Sequence, residues 1–375
     1  MKIRTGALFI FIFALILSAC NSQASVKETA TTVKDTDHEQ VVVYTTLYPF
    51  KAFTEAIGGD LVKVESIYPA GADAHSFEPS SKTMIDIAES DLFIYNGAGM
   101  EAFADAAVDT MKDESVAILE ATKEIDLLSG QSVHHHHDEE DDAHSHEDHA
   151  ETEHSNDAED VEHGHDAQHE DAHDHEDVDV KHEHDEEQRH TDKTDAHDHT
   201  HGDVDPHAWL DPIRAIEMAE QIKNELIALR PEHKASFEEA FQSLQADLTE
   251  LDEDFQEMLS TKEDRAILVS HAAFGYWQDR YDIDQISVSG LSPSQEPSQQ
   301  QLLDIIAEAE HHDIKHVIFE QNVTPRVAKM VQEEIGGEAL TLHNLSVLSD
   351  EDIQNDEDYF SLMRHNIDVL DQAMN

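Results

Sequence analysis

The side chains best equipped for chemistry in this chain are histidines, and they occur in two settings. From His134 to His201 the sequence is almost wholly histidine, aspartate and glutamate. It opens on His134, His135, His136 and His137 and continues in pairs such as His144 and His146, His163 and His165, His173 and His175, His182 and His184, and His197 and His199. Neutral imidazole and carboxylate are ligands for borderline divalent metals, zinc above all. This stretch holds 19 of the chain's 29 histidines. Solvation alone does not require histidine, so the composition favours metal binding over a plain acidic spacer. With almost no large apolar residues, the stretch cannot bury enough surface to offset the entropy of ordering. Residues 134–201 are therefore expected to be a disordered tether. Weak metal sites are expected on it, with His134, His135, His136, His137, His144 and His146 as the first candidates.

Three histidines outside that tract stand where a strand is ending or turning. His75 lies in Gly71-Ala72-Asp73-Ala74-His75-Ser76-Phe77-Glu78-Pro79, His207 in Asp205-Pro206-His207-Ala208-Trp209-Leu210-Asp211-Pro212, and His271 in Val269-Ser270-His271-Ala272-Ala273-Phe274. Each has an aromatic close by (Phe77, Trp209, Phe274) that can keep water away. Asp73, Asp205 and Asp211 are near enough to orient an imidazole through its second ring nitrogen. In open parallel sheets, ligands bind beyond the carboxyl ends of the strands, so histidines from two lobes can meet in a crevice between them. A lone histidine in such a place is more often a surface or satisfied core residue. Three in like settings leave both readings open.

The elements that must position these residues read as α/β, in two Rossmann-like lobes with mostly parallel sheets and the metal site in the cleft between them. Val41–Tyr44, Leu61–Ile67, Leu92–Tyr95 and Val116–Leu119 have strand character, and 49–57, 82–90 and 101–111 are helical between them. Strands separated by helices pair in parallel through crossovers. After the acidic tract come two long helices, 212–229 and 232–259. In the second, Phe237, Phe241, Leu244, Leu248 and Leu251 form one apolar stripe. At about 28 residues and 1.5 Å each it would run about 42 Å, a spine long enough to join two lobes. The alternation then resumes, with strands at 266–269, 286–288, 317–319 and 339–342. Helices are expected at 298–311, with Pro297 suited to its first turn, at 325–335, and at 356–374. The expected division is a signal peptide over 1–19, a lipidated stalk over 20–39, an N-terminal lobe over 40–133, the tract over 134–201, the rest of that lobe over 202–230, the spine over 231–262, and a C-terminal lobe over 263–375.

The chain has 375 residues with 39% hydrophobic content, enough for real cores. Its formal net charge is -61, of which the tract supplies -24, from 27 acids against 3 bases. So negative a body argues against nucleic acid, whose phosphates need Lys and Arg, and suits the attraction of cations. Lys2 and Arg4 precede an apolar run from Ala7 to Ile16, too short to span a bilayer, with the flanks of a signal peptide. Leu17-Ser18-Ala19-Cys20 resembles a bacterial lipobox, which makes Cys20 the lipidation site. Cys20 is the only cysteine, so no disulfide forms within the chain. The mature protein is expected to be a monomer, lipid-anchored outside the cytoplasm.

Four segments carry a family resemblance: Asp73-Ala74-His75-Ser76-Phe77-Glu78-Pro79, Asp205-Pro206-His207-Ala208-Trp209-Leu210-Asp211-Pro212, Ser270-His271-Ala272-Ala273-Phe274-Gly275-Tyr276, and Gly290-Leu291-Ser292-Pro293-Ser294-Gln295-Glu296-Pro297-Ser298. In this order they resemble the zinc-binding solute-binding lipoproteins of ABC importers, a group with a rigid helical spine. The resemblance runs from about Val41 to the C-terminus. It implies that His75, His207 and His271 are the metal ligands and that the His-rich loop lies before the second of them. It also implies that the ion is passed to an ABC permease with its ATPase. Manganese-type relatives carry a carboxylate at the position matching His271, and three imidazoles favour zinc. One departure stands out. Zinc-type relatives often place a fourth-ligand glutamate in a Leu-x-x-Leu-Glu-x-Leu pattern, whereas this chain reads Leu342-His343-Asn344-Leu345-Ser346-Val347-Leu348. Water, His343 or a loop histidine is left to fill the fourth position, with water favoured.

His169-Glu170-Asp171-Ala172-His173 matches a zinc-protease pattern. It falls in a tract so dense in these residue types that chance matches are expected. The rivals to zinc import are a manganese or iron importer of the same fold and, more distantly, a surface zinc hydrolase. His311, His312 and His316 read as surface residues.

Overall fold

The computed structural model describes residues 40–130, 204–321 and 325–374. The signal segment, Cys20, the stalk, the acidic tract and the His169–His173 pattern lie outside the described residues.

The N-terminal sheet is built from β1 (Val41–Thr45), β2 (Val62–Ser66), β3 (Leu92–Tyr95) and β4 (Ala117–Glu120), in the order β2-β1-β3-β4. Three helices connect them: α1 (Tyr48–Gly58), α2 (Ser81–Ala88) and α3 (Ala104–Met111). All pairings are parallel, and β3, Leu-Phe-Ile-Tyr, is buried at every position. Edge strand β2 instead alternates buried and exposed residues, as one covered face demands. The helix expected from Glu101 begins at Ala104, because Glu101 turns its carboxylate inward to accept the backbone N–H groups of Asn96 and Gly97.

Two long helices follow, α4 (Pro212–Leu229) and α5 (Lys234–Leu259). The apolar stripe of α5 is buried along its length, from Phe237 to Leu259. Its 26 residues span about 39 Å at 1.5 Å per residue. It packs on α1 and α4 and also on helices that follow it in the chain.

The second lobe repeats the first. Strands β5 (Ala266–His271), β6 (Asp284–Ser289), β7 (His316–Glu320) and β8 (Glu338–Leu342) pair in parallel in the order β6-β5-β7-β8. The helices are α6 (Gly275–Tyr281), α7 (Gln299–His311), α8 (Arg326–Ile335), α9 (Asp350–Gln354) and α10 (Tyr359–Ala373). One continuous apolar core runs through the first lobe, α5 and the inner face of the second lobe; a smaller cluster around Leu268, Ile286, Val317 and Val331 lies on the outer face under α7 and α8. Ion pairing fixes α6 to the spine: Arg280 forks onto Asp252, which also accepts from Tyr281 Oη at 2.9 Å.

Three further details depart from the sequence reading. Ser298, not Pro297, sets the start of α7, closing a capping box with Gln301. The closing helix expected over 356–374 is α10, which starts only at Tyr359, where Asp358 caps it; the short α9 before it was not anticipated, and Asp356, with a left-handed φ of 54°, lies in the turn between them. The seven-residue α6 was not anticipated; starting on a glycine after a coil, it offers no cap signal.

Candidate metal centre

Each sheet reverses its winding between its two central strands, β1 and β3 in one lobe and β5 and β7 in the other, which is where α/β sheets bind ligands. His271 is the last residue of β5, and Glu320 the last of β7. His207 sits on the connection into α4. Asn96, just past β3, donates its side-chain amide to the Pro206 carbonyl at 3.0 Å and so ties that connection to the first switch point. His75 lies on the turn-rich connection from β2 to α2.

The structure brings these three histidines together. One ring nitrogen from each lies within 4.8 Å of the other two, and the ring centroids are 5.4–5.7 Å apart. His207 and His271 are essentially fully buried, at 0% and 1% exposure. In all three rings it is Nε2 that is buried without a hydrogen-bond partner. Buried polar atoms are rarely left so, and three such nitrogens this close together could hold a metal ion. The centre of a triangle with 4.8 Å sides is about 2.8 Å from each corner. Ring shifts of under about 1 Å therefore give zinc–nitrogen bonds of about 2.0–2.1 Å.

Two rings are aimed from behind. Asp205 Oδ1 accepts from His207 Nδ1 at 2.8 Å and also from the His207 backbone N–H at 2.9 Å. Glu320 Oε1 is paired with His271 Nδ1. An ionised carboxylate at Nδ1 fixes the proton there and leaves the Nε2 lone pair for a metal. Glu320 was missed in the sequence; the signal was available, since the strand 317–319 runs straight into it at the switch point. Burial pushes the Glu320 carboxyl up, but His271 and Asn344 outweigh it and hold it below the usual range. His75 has no carboxylate on its ring among the described residues. Burial, and after it the neighbouring His207 and His271, drives its pKa from 6.5 down to about 2, so it stands neutral.

The expected supports divide. Asp205 orients a ring. Asp73 does not: it accepts from the backbone N–H of His75 and the hydroxyl of Ser76, shaping the turn. Asp211 does not either; it caps α4 by accepting from the Ile213 N–H and pairs with Arg214. His343 is excluded as fourth ligand, because its Nε2 faces Asp352 at 3.1 Å and its Nδ1 accepts from the Leu345 N–H at 2.9 Å. Both nitrogens are used in the second lobe's own turn. Ser346 does line the small cleft beside His75 and His271, together with Asn344, Gln321 and Glu320. The loop histidines expected as weak sites, His134, His135, His136, His137, His144 and His146, all lie outside the described residues. Among the described residues the donor set is His75, His207 and His271 alone.

The segment carrying His207 is bolted to the second lobe. Tyr276 Oη donates to the Asp205 carbonyl at 2.7 Å, Trp277 Nε1 to the Leu210 carbonyl at 2.8 Å, Tyr359 Oη to the Trp209 carbonyl at 2.8 Å, and Trp209 Nε1 to the Asn344 carbonyl at 2.8 Å. Gly275 permits the closest approach: a Cβ there would fall 2.5 Å from Asp205 Oδ2.

Comparison with known proteins agrees with this architecture. Residues 43–373 match the family model described as ZnuA, zinc-uptake complex component A, periplasmic, and the chain belongs to that family. It is 29% identical over 370 residues to the zinc-binding lipoprotein AdcA of Streptococcus pneumoniae, covering 99% of this chain and 61% of that protein. The chain thus spans about three-fifths of the length of the first of these relatives. It is 28% identical over 371 residues to the high-affinity zinc uptake system protein ZnuA of Bacillus subtilis, covering 99% of this chain and 98% of that one. The crystal structure of the Zn(II)-bound ZnuA-like domain of Streptococcus pneumoniae AdcA superposes with a TM-score of 0.63 at 26% identity, over 89% of this chain and 99% of that domain.

Proposed function

We propose that this protein captures a zinc ion between His75, His207 and His271 and delivers it to an ABC permease and its ATPase for import. One observation carries the reading: three buried Nε2 atoms, drawn from both lobes, lie close together with no hydrogen-bond partner among the described residues. The zinc-binding names of the relatives and the zinc-uptake description of the family support the choice of ion. So does the donor set, since three neutral nitrogens suit zinc and manganese prefers oxygen. The nearest acids, Asp205 and Glu320, are engaged behind the rings. The cleft beside the rings has room for about one water, so the fourth ligand is read as water. Capture takes place outside the cytoplasm, with Cys20 as the lipid anchor, and the protein acts as a binding monomer, not an enzyme. The tract 134–201, with His134 to His137, His144 and His146 among its donors, serves as a weaker collector of the same ion.

The test is competition of zinc against manganese for the purified chain, with His207→Ala beside it. The reading expects one tight zinc per chain outside the tract, preferred over manganese and lost in the variant. An unchanged zinc affinity in His207→Ala would refute it.

A further inference from the structure

Behind the rings, one residue touches the supports of both buried ligands. The side-chain oxygen of Asn344 accepts from the Ser346 backbone N–H at 3.0 Å, the Ser346 hydroxyl at 2.7 Å and Gln321 Nε2 at 2.8 Å. A backbone N–H can only donate, so this contact fixes which end of the amide is oxygen. Asn344 Nδ2 must then face Glu320, and it donates to Oε2. Glu320 is thereby held at both oxygens, Oε1 by His271 and Oε2 by Asn344. The backbone carbonyl of the same residue accepts the indole N–H of Trp209, whose ring lies 5.3 Å from that of His207. The segment is rigidly set: Leu345 beside it is fully buried with a left-handed φ of 58°, and the Asn344 N–H is taken by Gln321 Oε1 at 3.0 Å.

We propose that Asn344 is a positioning residue for the metal centre: its amide pins the carboxylate that presents His271, and its carbonyl pins the indole that walls His207, so one residue sets the two buried ligands in register. The inference rests on the three histidines being the ligands. Two consequences follow. Glu320 stays behind His271 and does not become a ligand, which keeps the site at three neutral nitrogens. The polar group from Gln321 to Ser346 occupies the side of the cleft where a fourth protein ligand would enter, and its members are hydrogen-bonded to one another.

The test compares wild type with Asn344→Asp, Asn344→Ala, Glu320→Gln and the double variant Asn344→Asp/Glu320→Gln. Zinc affinity and the visible spectrum of the cobalt(II) form are the readouts. Asn344→Asp keeps the acceptor for Ser346 but sets an oxygen against Glu320 Oε2. By disturbing Glu320, the outer partner of His271, it is expected to weaken zinc by up to the roughly 10–100-fold that loss of such a partner costs. It should also change the cobalt spectrum, which a merely structural role would not. The double variant restores an amide–carboxylate pair with the roles exchanged and is expected to bind tighter than Asn344→Asp alone. Asn344→Ala provides the same affinity reading if the aspartate variant does not fold. Affinity within about twofold of wild type in the single variants, or no recovery in the double, would overturn the inference. Absence of tight zinc binding in wild type would instead refute the three-histidine reading itself.

Discussion

The ring of His271 leaves the second lobe from the last residue of a fully buried strand with Glu320 on its Nδ1, and His207 is held likewise by Asp205, whereas the ring of His75 leaves the first lobe from a turn nine residues past β2 with no carboxylate behind it among the described residues. The difference separates two fixed rings from an adjustable one. Two imidazoles have their tautomer and direction set by carboxylates that are themselves buried and hydrogen-bonded. The third is placed through its backbone, by Asp73 on its N–H, by Gly71 N–H on the Leu348 carbonyl at 2.9 Å, and by Tyr68 Oη on the Ala74 carbonyl at 3.3 Å. Such a ring can turn to meet an ion. It is also the least buried of the three, so if the three hold an ion it is the one expected to join last and leave first.

The largest effect that sharpens this contrast is removal of a fixed ligand. His207→Ala or His271→Ala is expected to cost more than about 100-fold in zinc affinity, above the 10–100-fold typical of an outer partner. Isothermal titration with a competing chelator reads this directly. Next come the partners themselves. Asp205→Asn and Glu320→Gln should each cost about 10–100-fold, while Asp73→Asn, whose carboxylate touches no ring, should stay within a few-fold. Equal losses at Asp73 and Asp205 would erase the distinction. Gly275→Ala tests the same point from the neighbouring helix. Its methyl would meet Asp205 Oδ2 at 2.5 Å and should displace that carboxylate, lowering zinc affinity without a charge change.

A smaller effect concerns protons. The His75 pKa falls from 6.5 to about 2 on folding. Below about pH 6.5 the unfolded chain binds a proton that the native metal-free protein does not. Native stability from this group is therefore complete above pH 6.5 and declines as pH falls from there toward 2. Thermal melts of the metal-free protein should show that decline, and His75→Gln should flatten it. An identical slope in the variant would contradict the assignment. Smallest of all, excision of residues 134–201 should leave the tight site and its affinity nearly unchanged. Ser129 and Val204 pair as an isolated antiparallel bridge, so the chain positions flanking that stretch already lie side by side.

Much of this was legible in the sequence. The strand order, the long helices and the stripe of α5 follow from local pattern, because period is written in neighbouring residues; the three histidines stood out at strand ends, but pattern left their role open and only the family resemblance implied it. What was not legible depends on contacts between distant residues. Asp205 and Asp211 are both near His207 in sequence terms, yet only the first reaches the ring; the second is drawn to the start of α4 and to Arg214. Glu320 is 49 residues from His271, and only the adjacency of β5 and β7 makes them partners. His343 was a reasonable fourth ligand by residue type, but its two nitrogens are taken by Asp352 and the Leu345 N–H, a turn no short motif discloses.

Convergence of His75, His207 and His271 on one ion can be seen outright in a zinc-soaked crystal with anomalous signal at the zinc edge. A single strong peak is expected outside the tract, bonded to Nε2 of all three histidines at about 2.0–2.1 Å, with a non-protein oxygen as the fourth ligand. A peak elsewhere, or one that leaves any of the three rings unbound, would contradict it.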